Sequence, residues 1–242
     1  MKLCIVDSCG KRKLKTSDDM PDCSALDSKD AVALWRSRLS HESVQARVMY
    51  RGSQHRAIVR AVDLLREVEG VHVDLFIISA GFGLLKEHDS VPPYDCSFNE
   101  LRKEEILLRS EMLEIPASFQ LICEDDYDLI YLALGKKYLT ALGSAWLAAT
   151  NGLVVAFDDR FPKEHTLFLP ANSQTVKAFS NAGHKIHGVV GFKGDLLRIM
   201  AEYAIETEAP RAEIMNWSVS KHLTQLFKAL TDKSVFGIRT RL

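Results

Sequence analysis

The chain has 242 residues, carries 31 Lys plus Arg against 32 Asp plus Glu for a formal net charge of -1, and is 47% hydrophobic and 26% charged. A chain of this size buries most of its apolar surface without a metal or disulfide staple, as one large domain or two small ones. Near-zero charge argues against a bulk electrostatic grip on DNA, RNA or an anionic membrane, so any nucleic-acid contact is expected to be local.

The apolar runs at 73–80 and 129–134 are far shorter than the roughly 20 residues a bilayer span needs, so no membrane partner is expected. Asp7 interrupts the N-terminal apolar run too early for a signal-peptide core, which places the protein in the cytoplasm. The five cysteines, Cys4, Cys9, Cys23, Cys96 and Cys123, are odd in number and irregularly spaced, with no Cys-x-x-Cys pair. Reduced thiols are the expectation.

In chain order, 2–8 reads as a strand that stops at Cys9-Gly10, followed by the basic segment 11–15. Residues 16–28 form a polar excursion with Pro21, and Ser28 offers a cap for a helix through Ala31, Leu34 and Trp35. Ser53 offers the next cap, for a helix with Ile58, Val59, Val62 and Leu65 on one face and Gly70 at its end. Residues 71–79 are the clearest strand, apolar enough to be covered on both faces, and 80–95 reads as a Gly- and Pro-rich loop.

Beyond it, 101–113 is an exposed amphipathic helix, 128–134 a second buried strand, 137–149 a helix and 153–157 a third strand. A short strand is expected at 166–169 and two helices at 194–205 and 219–230, with the basic end Arg239-Thr240-Arg241 as a frayed tail. Strands alternating with helices predict an α/β fold: three layers, a mostly parallel central sheet with helices on both faces, and a helical C-terminal region. Residues 1–242 are read as a single domain, with the stretch from about 202 onward a candidate helical appendage.

In open α/β sheets ligands bind beyond the carboxyl ends of the strands, which directs attention to three loops. The first is Asp7-Ser8-Cys9-Gly10-Lys11-Arg12-Lys13, where Ser8, Cys9, Gly10, Lys11 and Lys13 can present N–H groups and cations to an anion. It lacks Walker A spacing, and a solvated basic turn and a buried Cys9 thiol are its bland readings. The second runs from Ser79 through Gly81, Phe82 and Gly83 to Tyr94 and Asp95, where glycines permit close backbone approach and Asp95 can serve as base or nucleophile. The bland reading has Asp95 capping a helix near Ser97 and Tyr94 packing on the rim.

The third loop carries Gly135 and Lys136 at a helix start, and Gly191-Phe192-Lys193-Gly194-Asp195 repeats its chemistry, with Asp195 as a plain N-cap the alternative. Arg51-Gly52-Ser53-Gln54-His55-Arg56 offers an anion contact or a general acid, against an ordinary surface helix start. His184 and His187 do not match a metal motif, and no Gly-x-Ser-x-Gly elbow exists, so neither a metal nor another cofactor is expected.

Ser8-Cys9-Gly10-Lys11-Arg12-Lys13, the stretch Ile78 to Leu85 and Tyr94-Asp95 together resemble a bacterial and phage family of the DUF6884 type. A similar order of motifs occurs in a domain of archaeosine synthase, a tRNA base-modifying enzyme. The match covers roughly residues 1–140, and Phe82 stands where such families often show Lys-Tyr, so one cation is absent here. The resemblance implies a nucleobase or nucleotide context: nucleic-acid modification, base removal or phage defence.

The resulting expectation is an enzyme acting on an N-glycosidic bond, with Asp95 stabilising or attacking the oxocarbenium carbon and Tyr94 assisting it. Tyr94 and Phe82 would stack on the base, while Lys11, Lys13 and Lys136 would hold phosphate. The expected partners are a nucleotide, a nucleoside or a short single-stranded nucleic acid. The alternatives are a non-catalytic nucleotide sensor and an adaptor subunit that meets protein partners through 101–113 and 219–230.

Overall fold

The computed structural model describes residues 1–14, 19–159, 161 and 166–232; Lys15 and the basic end Arg239-Thr240-Arg241 lie outside the described residues. The chain opens with β1 (Lys2–Ser8), which is buried on both faces: Leu3 and Ile5 join one apolar cluster, Cys4 and Val6 the other. After it come α1 (Lys29–Arg38), where Ser28 Oγ accepts from the Ala31 N–H at 3.3 Å, then β2 (Val44–Gln45), α2 (Ala46–Met49) and α3 (Ser53–Arg66). Gly52, not Ser53, is the N-cap residue of α3.

Next are β3 (His72–Ser79), β4 (Gly83–Lys86), β5 (Ser90–Val91), α4 (Lys103–Met112) and α5 (Ile115–Cys123). The remainder is β6 (Leu129–Leu132), α6 (Lys136–Leu142), β7 (Leu153–Ala156), β8 (Thr166–Phe168), α7 (Ser173–Asn181), α8 (Gly188–Glu206), α9 (Pro210–Met215) and α10 (Ser220–Ala229). No helix of the described residues is long and apolar enough to cross a membrane.

Six strands form one sheet in the order β4-β3-β1-β6-β7-β8, parallel except for β4, while β2 and β5 make a separate two-stranded ladder. This is the expected three-layer α/β fold. On one face α3 packs against α8, burying Ile58, Ala61 and Val62 with Phe192, Leu196 and Met200. Contact is close because α8 crosses at Gly194, where an added Cβ would stand 2.4 Å from the Gln54 carbonyl oxygen. On the other face α4, α5 and α6 bury Ile106, Phe119, Leu139 and Leu142 around Trp146. Ile214, Trp217, Leu223, Leu226 and Leu230 of the last helices lie in the same cluster as Leu3 and Ile5.

Four further expectations require correction. Residues 83–86, read as loop, form β4, which folds back on β3 through the Ser79–Gly83 pair with Gly83 at φ 81°. The stretch 191–195, expected to precede a helix, lies inside α8; the buried Asp195 is no N-cap but reaches back to accept from the His187 N–H at 2.7 Å. Glycines early in α8 weaken its helical signal in the sequence. The helix expected at 137–149 ends at Leu142, where Gly143 takes φ 69°, and resumes as a 3-10 turn, Ala145–Ala149.

Finally, Cys23 and Cys96 form a disulfide; Cys4, Cys9 and Cys123 are buried free thiols. The excursion around Pro21 lies against the loop at Asp95, through an isolated Asp22–Asp95 bridge with the Asp95 N–H donating to Pro21 O at 2.8 Å, and this brings the two cysteines together across 73 residues of sequence.

Candidate functional site

The five parallel strands lie in the order 2-1-3-4-5 when counted along the chain. Connections from β1 and β3 therefore leave in opposite directions, which opens a crevice beyond the carboxyl ends of β1 and β6. A cavity of about 350 Å³ lies there, walled by Ser8, Cys9, Gly10, Lys11 and Arg12 on the β1 side and by Tyr50, Gly52, Ser53, Gln54 and His55 on the α3 side. Asn99 and Val190 complete its mouth.

Its floor is a buried polar cluster. His55 Nδ1 lies 2.7 Å from Asp7 Oδ2 and its Nε2 3.0 Å from the Arg47 carbonyl. Gln54 Nε2 donates to Asp7 Oδ1 and to Ala133 O, each at 2.8 Å, and so ties the start of α3 to the ends of β1 and β6. Burial works against a charge on His55, but the hydrogen bond and the negative charge of Asp7 outweigh it and leave the imidazole pKa raised. Lys193 also approaches Asp7; burial lowers its pKa and the Asp7 charge opposes that shift.

Two hydroxyl chains run behind the cavity. Cys9 Sγ lies 3.1 Å from Tyr138 Oη, which is 3.2 Å from Ser97 Oγ. Tyr94 Oη lies 2.8 Å from Ser79 Oγ and 3.0 Å from Tyr50 Oη. Burial pushes the phenols of Tyr50, Tyr94 and Tyr138 up, so all three stay protonated donors at neutral pH.

Of the residues singled out in the sequence, Ser8, Cys9, Gly10 and Lys11 line the cavity together. Lys11 is fully exposed and pairs with Glu100 at 3.0 Å, and this bond, with the charges of Glu100 and Asp95, raises its pKa. Asp95 is exposed and does not line the cavity, although its charge acts on Lys11 in the cavity wall. Lys136 is exposed after Gly135, the N-cap residue of α6; neither lines the cavity.

The second loop is built differently from the expectation. Tyr94 is 1% exposed and Phe82 6%, so neither ring offers an open face to a base. Phe82 stacks edge-on against Tyr94 with the Arg36 guanidinium 5.1 Å over its ring. Gly81 makes room for Tyr94 rather than for a ligand: an added Cβ would stand 2.8 Å from that ring. Ser79 Oγ accepts from the N–H groups of Gly81 and Phe82 at 3.2 and 3.0 Å, which fixes the turn into β4.

Lys13 likewise turns inward, donating to the carbonyls of Gly10 and Cys96 at 3.2 and 3.0 Å with its ammonium 4.4 Å over the Tyr94 ring. Its protons are spent on holding loops, which corrects the phosphate role expected of it. Asp95 does not cap the following turn; Ser97 does, through the Asn99 N–H.

Sequence reasoning missed Asp7, Gln54 and Tyr50 as parts of one cluster, and Asn99 altogether. The one available signal was an acid ending a fully apolar strand, since a buried Asp needs partners. No group of three or more His, Cys, Asp or Glu side chains is placed to hold a metal among the described residues. No protein-family model matches this chain, and none of the curated proteins matches it either.

Proposed function

We propose that the chain binds a nucleotide in the cavity beyond β1 and acts on its N-glycosidic bond. The carrying observation is that the first turn of α3, without a side-chain cap, opens into a cavity whose opposite wall supplies Lys11 and Arg12. The first N–H groups of a helix have no intrahelical acceptor and favour a negative group, and two cations on the facing wall add to that preference.

With Tyr94 and Phe82 buried, the apolar surface offered to a base is Val190 at the cavity mouth, 83% exposed. In the reaction, the bond between the sugar carbon and the base nitrogen breaks and its electron pair leaves on the base. Asp95 stabilises or attacks the resulting oxocarbenium carbon, and water or an incoming base then closes that centre.

A second reading, a sensor that binds without chemistry, rests on the interior of the site. Asp7, His55, Tyr94 and Tyr138 all commit their polar atoms to neighbouring side chains and, for His55, to the Arg47 carbonyl. Thermal unfolding against nucleosides, nucleotides and short oligonucleotides, followed by mass spectrometry, separates the two. Stabilisation with loss of the base supports the enzyme, stabilisation without a mass change supports the sensor, and no stabilisation refutes both.

A further inference from the structure

We infer that the basic hollow between α3 and the start of α8 is a second phosphate subsite, so that the ligand carries at least two phosphate groups. The inference rests on the nucleotide reading of the adjoining cavity and deepens it. The hollow, about 380 Å³, is walled by Ser53, Arg56, Arg60, Lys185, His187 and Arg198. Ser53 also belongs to the wall of the first cavity, so the two are contiguous.

Charge in the hollow is lopsided in a chain whose net charge is only -1. Asp195 is occupied by the His187 N–H and Nδ1 at 2.7 and 2.8 Å, and Glu202 by Arg198 Nη1 at 2.5 Å. Arg56, Arg60 and Lys185 pair with no carboxylate among the described residues, and all three are exposed. Arg56 and Arg60 stand one turn apart on the same edge of α3, a like-charge spacing that destabilises a helix unless something neutralises it. An anion between them and Lys185 does so, and guanidinium groups suit the paired oxygens of a phosphate.

Position selects a second phosphate over the first. At 1.5 Å rise per residue, Arg56 and Arg60 lie about 5 and 10 Å along the helix axis from Ser53. A phosphate at the first turn of α3 does not reach Arg60, whereas a linked one does. The second phosphate has two sources, a nucleoside polyphosphate or the next phosphodiester of a single strand.

The test measures binding of nucleoside 5′-monophosphates, the matching 5′-triphosphates and single-stranded pentanucleotides to the full chain, wild type and Arg56→Gln/Arg60→Gln. The triphosphate or the pentanucleotide should bind at least tenfold tighter than the monophosphate, and the double variant should lose that gain while binding the monophosphate unchanged. A gain confined to triphosphate names a free nucleotide. A gain confined to pentanucleotide names a strand, and its salt slope should then fall by about 1.4 in the variant, at roughly 0.7 for each lost contact.

Equal affinity for all three probes, no binding of the two phosphate-rich probes, or a gain that survives in the variant would overturn the subsite. If the monophosphate fails to bind while a phosphate-rich probe binds through Arg56 and Arg60, the first cavity's reading fails and the second subsite stands. Both arginines are exposed and unpaired among the described residues, so the variant should keep its circular dichroism spectrum and a Tm no lower than that of the wild type.

Discussion

His55 is held between two acceptors, with Nδ1 2.7 Å from Asp7 Oδ2 and Nε2 3.0 Å from the carbonyl oxygen of Arg47. A carbonyl only accepts, so Nε2 carries a proton; the carboxylate opposite Nδ1 then calls for a second. Below its raised pKa the ring is therefore the imidazolium of a buried ion pair, and it positions the cavity floor instead of serving as a free base.

Its folded pKa is raised above the ordinary value of 6.5. The pair's stabilisation is thus fully present below that value and is lost as pH rises through the folded pKa. Chemical denaturation at pH 6 and at pH 9 should show this fall in the wild type and lose it in His55→Gln. Removing one partner of a buried pair should also cost about 3–5 kcal/mol at pH 6. Equal pH dependence in the two proteins would show that the ring is neutral when folded.

The crossing of α3 and α8 gives a steric prediction. In Gly194→Ala the new Cβ would meet the Gln54 carbonyl oxygen at 2.4 Å, and a backbone atom cannot swing aside as a side-chain tip can. Overpacking of about 2–3 kcal/mol should lower Tm by roughly 5–10 °C. Because the Gln54 side chain ties Asp7 to Ala133, nucleotide binding should weaken as well. A calorimetric scan showing an unshifted transition would mean the helices part without cost.

The disulfide joins the 19–28 excursion to the loop that carries Asp95. Cross-linking across 73 residues limits the unfolded chain, a loop-entropy effect of roughly 4 kcal/mol. Reductant should therefore lower the denaturation midpoint of the wild type and leave Cys96→Ser unaffected. A wild-type midpoint insensitive to reductant would show that the bond does not stabilise the fold.

The sheet was legible in the sequence because its strands are nearly continuous apolar runs, such as Val73 to Ile78, bounded by Gly and polar turns. β4 was not, since Gly83-Leu84-Leu85-Lys86 is only four residues long and sits among glycines and prolines. α8 was half seen, because Gly191 and Gly194 serve tight packing and Gly188 takes φ 74° at its start, all at the cost of helical propensity.

At the site, Ser8 to Lys11 were visible because they follow a strand. The Asp7–His55 pair was hidden because its partners are 48 residues apart and only the fold brings them together. Lys13 misled for a related reason. A lysine in a basic run reads as a surface cation, whereas here the carbonyls of Gly10 and Cys96 draw it inward.

Asp95 is where the enzyme and sensor readings divide most sharply. Its backbone N–H pairs with Pro21 O, but its side chain is exposed and no hydrogen bond ties it to the described residues, so Asp95→Asn should leave stability within about 0.5 kcal/mol of wild type. Asparagine keeps the size of the side chain and removes the negative charge that an oxocarbenium carbon requires. Base release followed by mass spectrometry should then fall by about two orders of magnitude or more, while the nucleotide-induced rise in Tm persists. An unchanged rate would remove Asp95 from the chemistry. Loss of binding together with turnover would instead place its carboxylate against the ligand's sugar or base, since a phosphate would repel it.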